Sequence, residues 1–232
     1  MNLFLELMFI FYIGCTLGWV IELFFRRIVH GKWINPGFLV GPYLPIYGFG
    51  LLILTIIYLL LKDSDLNPIV IILIMGLSMT FIEFVGGLIG LKNKIRLWDY
   101  SDLWGNYRGI ICPQFSVIWT SIGAVYYYFL VPYTMYALEW FSKNITFSYM
   151  LGLFTGFIII DTVYSTKLYN KIRKYAKENN ITIKYEQFKS HIKDAQLKAK
   201  EKYSFIKPFS QTKLLLEYLD DYKDKLIEKL IK

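Results

Sequence analysis

Residues 68–91, PIVIILIMGLSMTFIEFVGGLIGL, form an apolar run that carries a single charge, Glu83. A helix needs about 20 such residues to cross the hydrocarbon core of a bilayer. The stretch is therefore predicted to span a membrane, with the turn Asn67-Pro68 opening it. Runs of the same kind lie at roughly 3–25, 46–61, 110–131 and 145–165, the second of them short. The N-terminal run lacks the basic flank of a signal peptide and reads as a mature helix. Pro132 is expected to end the fourth run. The aromatic segment 132–142 either extends that run or lies at the membrane interface, where Trp and Tyr prefer to sit.

Composition agrees with the runs. The chain has 232 residues, of which 55% are hydrophobic and 19% aromatic, more apolar than a soluble domain of this length. Its net charge of +8 is not spread evenly. Residues 1–165 hold nine Lys/Arg and nine Asp/Glu, whereas residues 166–232 hold seventeen and nine. A basic segment beside a membrane helix suits anionic lipid, so the bilayer, not nucleic acid, is the expected partner. Loop 26–45 brings Arg26, Arg27 and Lys32, and loop 92–109 brings Lys92, Lys94, Arg96 and Arg108. The opposite side has only Lys62 and Lys143. The positive-inside rule then puts the N-terminus outside and the tail in the cytoplasm, as five spans require.

The expected architecture is an all-α membrane protein with about five transmembrane helices in residues 1–165, and a basic helical tail at 166–232. Asn179-Asn180 and Pro208 are expected breaks in the tail, and Ser210 a cap for its last helix. Leu215, Leu219, Tyr222, Leu226 and Leu230 make an apolar stripe there. The stripe could lie on the membrane, pack on its own protein or dock a partner.

The two loops resemble each other. Residues 33–42 read WINPGFLVGP and residues 104–113 read WGNYRGIICP, matching Trp33 to Trp104, Asn35 to Asn106 and Pro42 to Pro113. Upstream, Ile21-Glu22-Leu23 matches Ile82-Glu83-Phe84; downstream, Ile46-Tyr47-Gly48 loosely matches Ile118-Trp119-Thr120. The chain thus reads as two parallel helix–loop–helix repeats, about 3–61 and 68–131, followed by a fifth helix at about 145–165. Repeats of this kind commonly build transporters, with the substrate path between them.

Intramembrane carboxylates cost about 2.5–3.5 kcal/mol on insertion scales and normally face a bundle interior, a cavity or a partner. Glu83 lies deepest. Glu22 can pair with Arg26 one turn away. Asp161 can pair with Lys167 or reach the interface, and Glu6 reads as interfacial. The apolar, Gly/Pro-rich segment 35–48 cannot be helical throughout, which leaves a re-entrant loop or an interfacial turn. Asp99 and Asp102 could cap a helix, bind a cation or act in acid–base chemistry. The candidate substrate-path residues are Glu22, Glu83, Trp33, Asn35, Asp99, Trp104, Asn106 and Asp161. His30, His191, Cys15 and Cys112 are too scattered for a metal site, and no nucleotide or cofactor motif is present, so no cofactor is expected.

Gly18-Trp19-x-x-Glu22, Asn35-x-Gly37-Phe38-Leu39-x-Gly41-Pro42, Pro45-Ile46-Tyr47-Gly48 and Trp98-Asp99-Tyr100-Ser101 together resemble a family of small bacterial membrane proteins. These are labelled "putative ABC-transporter permeases", type IV. The resemblance covers roughly residues 5–165. It implies a multi-pass cell-membrane protein, a transport role and a separate ATPase subunit as candidate partner. A second copy of the chain is another candidate partner. A membrane-embedded enzyme acting on a lipid or lipid-linked substrate, built on Asp99, Asp102, Glu83 and Asn106, is the alternative function, and a non-catalytic scaffold or regulator the third.

Overall fold

A computed structural model describes residues 3–31, 33–198 and 212–231. Lys32, Pro208 and Ser210 fall outside the described residues. The elements are α1 (Leu3–His30), α2 (Pro45–Leu61), α3 (Pro68–Lys92), β1 (Ile95–Arg96), α4 (Pro113–Val125), a π-helical turn (Tyr126–Leu130), α5 (Val131–Lys143), α6 (Ser148–Glu178), β2 (Ile183–Lys184), α7 (Tyr185–Lys198) and α8 (Thr212–Ile231). A short 3-10 turn, Ile145–Phe147, leads into α6.

Proline opens three of these helices. Pro45, Pro68 and Pro113 each sit in a first turn, where the missing N–H has no helical partner to lose. Asn67 adds a cap to α3, its side chain accepting from Ile69 N at 2.9 Å. Pro132 does not end its helix. The backbone widens into the π turn just before it, with Val131 N bonded to Tyr126 O, and α5 then continues to Lys143. A wider turn relieves the clash between the proline ring and the preceding carbonyls, so the interruption becomes a bulge inside one long helix.

Among the described residues four helices are long and apolar enough to cross a membrane: Leu3–Ile28, Pro68–Lys92, Pro113–Lys143 and Ile145–Glu178. The helix Pro45–Leu61, with 17 residues, is shorter. Large apolar side chains such as Leu77, Phe81, Val117 and Phe157 are exposed along these helices, a surface that lipid and not water would cover. The chain is an all-α membrane protein.

Helix α1 packs along α2, and α3 along α4. The long helix then leans across the bundle: Tyr126 reaches Thr55 of α2, and Phe141 stacks on Phe9 of α1 at 4.7 Å. Helix α6 joins α1 through Tyr12 and Thr155. Glu6 is buried, with Oε1 unbonded, because α1 enters the bundle within its first turns.

The segment between α1 and α2 runs back into the protein. Ile34, Asn35, Leu39, Tyr43 and Leu44 are buried, and Leu44 N donates to Cys15 O, halfway along α1, at 2.9 Å. The apolar side chains Val20, Ile21, Phe24, Phe25 and Ile28 are exposed on α1 alongside it. The segment thus folds back along α1 with its irregular backbone buried in protein, the condition that a re-entrant loop must meet.

The described part of the tail packs around a core of its own. Leu168, Ile172, Tyr175 and Ala176 of α6 form a core with Ile183, Tyr185, Phe188, Ile192, Leu215, Leu219 and Tyr222. The described part of the apolar stripe thus packs on its own protein; the side chains of Leu226 and Leu230 lie outside the described residues. Helix α6 crosses the expected boundary at 166 without a break and ends at Glu178, where Asn180 takes a left-handed φ of 50°. Ile95 enters the tail core, and β1 pairs in parallel with β2.

Candidate functional site

Glu83 is 4% exposed, and both its oxygens are engaged. Tyr100 Oη donates to Oε1 at 2.8 Å, and Trp119 Nε1 donates to Oε2 at 3.0 Å. Phe115 stacks on Tyr100 at 4.2 Å and holds its ring in place. Glu22 is engaged in a related way. Tyr47 Oη donates to its Oε2 at 2.8 Å, while Arg26 Nε donates to its Oε1 at 3.1 Å. The two sets meet. Burial pushes the Tyr100 phenol well above its ordinary value, the Glu83 carboxylate adds to this, and Cys112 and Tyr47 contribute further. Helix α2 packs on α3, and Ile46 and Trp98 both lie against Gly86, which sets the Glu22–Tyr47 pair beside the Glu83–Tyr100 pair as a polar seam between α1–α2 and α3–α4.

The contacts in the two pairs fall at corresponding positions. An offset of 61 carries Glu22 to Glu83 and Cys15 to Gly76; an offset of 72 carries Tyr47 to Trp119 and Gly48 to Thr120. Glu22 is bonded to Tyr47, as Glu83 is to Trp119. A Cβ on Gly48 would lie 2.4 Å from Cys15 Sγ, and a Cβ on Gly76 would lie 2.2 Å from Thr120 Oγ1. Each helix crossing thus sets one glycine against one small polar side chain, on opposite helices in the two pairs.

The loop asparagines shape backbone. Asn35 accepts from Trp19 Nε1 at 2.6 Å and donates to Leu39 O and Val40 O. Asn106 donates to Ser101 O and Leu103 O and accepts from Gly109 N at 3.0 Å. Gly109 has a φ of 70°, and a Cβ there would meet Ser101, Arg96 and Asp99, so no other residue fits. The neighbouring tryptophans face outward. Trp104 is 86% exposed and Trp33 is 42% exposed, beside Phe24 and under the Arg27 guanidinium. Neither lines the seam.

Asp161 holds the re-entrant segment in place of pairing with Lys167. Its oxygens accept from Val40 N at 3.2 Å, Gly41 N at 2.7 Å and Ser165 Oγ at 2.8 Å. Two converging backbone amides outcompete a lysine that would have to reach in from the helix surface. Asp99 does not cap a helix, because none follows it. It accepts from Arg96 Nη1 at 2.5 Å and from Ser101, and pairs with Lys184 at 2.7 Å. Against the upward push of burial, the Lys184 ammonium, the Ser101 hydroxyl and amide, and the Arg96 guanidinium hold its carboxyl well below the usual carboxylate range. Asp102 is exposed, with no helix to cap. Asp99 and Asn106 are both bonded to Ser101, whereas Glu83 is bonded to Tyr100. Among the described residues no group of three or more His, Cys, Asp or Glu side chains is placed to hold a metal ion.

Residues 9–166 match the family described as "Putative ABC-transporter type IV". The chain belongs to this family. No solved structure matches it. The seam, both loops and Asp161 all lie inside the type IV segment, while Lys184 and Lys189 lie beyond it. Lys189 is nonetheless built into a type IV loop: it is 6% exposed, and its Nζ donates to Asn35 O at 2.9 Å and Gly37 O at 2.6 Å.

Sequence reading found Glu22 and Glu83 but missed most of their partners. Tyr47 and Trp119 were signalled by the Ile46/Ile118 correspondence and Tyr100 by its place in the Trp98-Asp99-Tyr100-Ser101 motif; Lys184 and Lys189 carried no signal. Lys189→Met should expose the segment, since removing a charged donor leaves two buried carbonyls bare at roughly 1–3 kcal/mol each. Amide hydrogen exchange across residues 33–44 is expected to rise at least tenfold in Lys189→Met and to stay near wild type in Lys189→Arg. Unchanged exchange in Lys189→Met would refute the tie.

Proposed function

We propose that this chain is a transport component whose substrate path runs between two copies of one helix–loop–helix unit. The observation that carries the reading is the seam: Glu22–Tyr47 and Glu83–Trp119 at corresponding positions, with Tyr100 also bonded to Glu83. Buried carboxylates in membrane helices mark substrate and ion pathways, and repeat interfaces are where transporters place them. The matching helix crossings support a duplication, and the family supports an ABC-transporter-related role. On this reading the protein sits in the cell membrane with its N-terminus outside. The loops and the tail face the cytoplasm, following the Lys/Arg bias. A separate ATPase subunit would supply energy from that side. Asp99 is committed to Arg96, Ser101 and Lys184, so the loop carboxylates give the enzyme reading no support.

Thiol labelling tests the path. In a chain with Cys15→Ala and Cys112→Ala, Tyr47→Cys in right-side-out and inside-out vesicles is expected to react with a membrane-impermeant maleimide from the loop side. A thiol at 47 that is inert from both sides would count against a path at the seam.

A further inference from the structure

The two carboxylates of the seam differ in one respect. Glu22 has a fixed counter-charge, since Arg26 on the next turn of α1 bonds it directly. The offset of 61 that carries Glu22 to Glu83 carries Arg26 to Gly87. No guanidinium can arise there, and Ile110 fills the space, with its Cβ 2.6 Å from where a Cβ of residue 87 would stand. Glu83 is left with two neutral donors, Tyr100 and Trp119, and no ion pair among the described residues. The groups facing it are Tyr100 from the loop, Trp119 from α4 and Tyr47 from α2, with the Glu22–Arg26 pair beyond Tyr47. A buried carboxylate without a counter-ion costs several kcal/mol.

We propose that Glu83 is a proton-binding site, and that the proton takes the part in the α3–α4 pair that Arg26 plays in the α1–α2 pair. The inference rests on the reading of the seam as the functional centre and names the ion that acts there. The hydrogen bonds allow it without moving a heavy atom. Trp119 Nε1 can only donate, so Oε2 stays an acceptor in both states. Tyr100 is a hydroxyl and can reverse. When a proton from water binds Oε1, the new O–H donates to Tyr100 Oη, and the phenol hydrogen turns away. When the proton returns to water, the phenol donates again, as in the geometry observed. No bond other than the O–H forms or breaks. Arg26 already supplies Glu22 with a fixed counter-charge at Oε1, so of the two seam carboxylates the site is assigned to Glu83.

Infrared spectroscopy of the full chain in lipid nanodiscs tests this without any transport assay. The wild-type minus Glu83→Gln difference is expected to contain a protonated-carboxyl C=O band. The band should give way to carboxylate bands as pH rises, and should be absent from the wild-type minus Glu22→Gln difference. Tyr100→Phe removes the reversible partner and should shift the band towards the position of a free acid. Arg26→Gln should double the acid signal, with the added part lost on Glu22→Gln. Glu6 is buried as well, and Glu6→Gln isolates its share. Carboxylate bands alone in the Glu83→Gln difference, at every pH where the protein is folded, would overturn the proposal. So would an unchanged acid signal in Arg26→Gln. Either failure would leave the path reading standing, because the labelling of Tyr47→Cys decides that separately.

Discussion

Gly48→Thr is expected to destabilise the α1–α2 pair by about 1–3 kcal/mol, the range for overpacking a close contact. The new Cβ would meet Cys15 Sγ at 2.4 Å and Phe11 O at 2.7 Å, and a main-chain atom cannot swing away. Adding Cys15→Gly should restore part of the loss. The double variant gives α1 and α2 the glycine–threonine pair that Gly76 and Thr120 already form between α3 and α4. Rescue stays partial because Phe11 O remains. Unfolding in mixed micelles, followed by tryptophan fluorescence, measures the double-mutant cycle. Coupling above about 0.5 kcal/mol supports equivalent crossings, and strict additivity would argue that the two crossings are unrelated.

Asp161→Ala is the second large effect. It strips the acceptor from Val40 N and Gly41 N, two main-chain donors inside a re-entrant segment. Each bare amide costs roughly 1–3 kcal/mol, and no helix or strand offers a substitute partner. The expected result is a fall in thermal stability together with rapid hydrogen exchange at residues 39–44. Asp161→Asn keeps one acceptor oxygen and should lose about half as much. Wild-type exchange in Asp161→Ala would show that the segment is held by other contacts.

Both variants act where α1 and α6 frame the re-entrant segment, and this is also where sequence reading ran out. The long helices were legible because an apolar run with one charge has few places to go but a bilayer. Glu83 was legible for the same reason, as the one charge in its run. The role of Asp161 was not: its amide partners lie 121 and 120 residues away along the chain. Lys189 was just another lysine in a basic tail, because nothing local marks a side chain that reaches a loop 152 residues upstream. Pro132 misled in the opposite direction. Local rules end a helix there, but a π turn absorbed the ring and let the helix run on to α1.

The amino-acid sequence by itself determined the helical membrane class, the turn at Asn67-Pro68 that opens α3, the likeness of the two loops and the two carboxylates worth watching. These depend on composition and on short-range backbone sterics, which act within a few residues. The tertiary structure alone decided that segment 33–44 turns back beside α1 and that the tail packs into a body tied to both loops. It alone decided that Tyr47, Tyr100 and Trp119 close around Glu22 and Glu83, one with a guanidinium beside it and one without. Those outcomes depend on which distant donors reach a carboxylate once water is excluded, and only packing settles that.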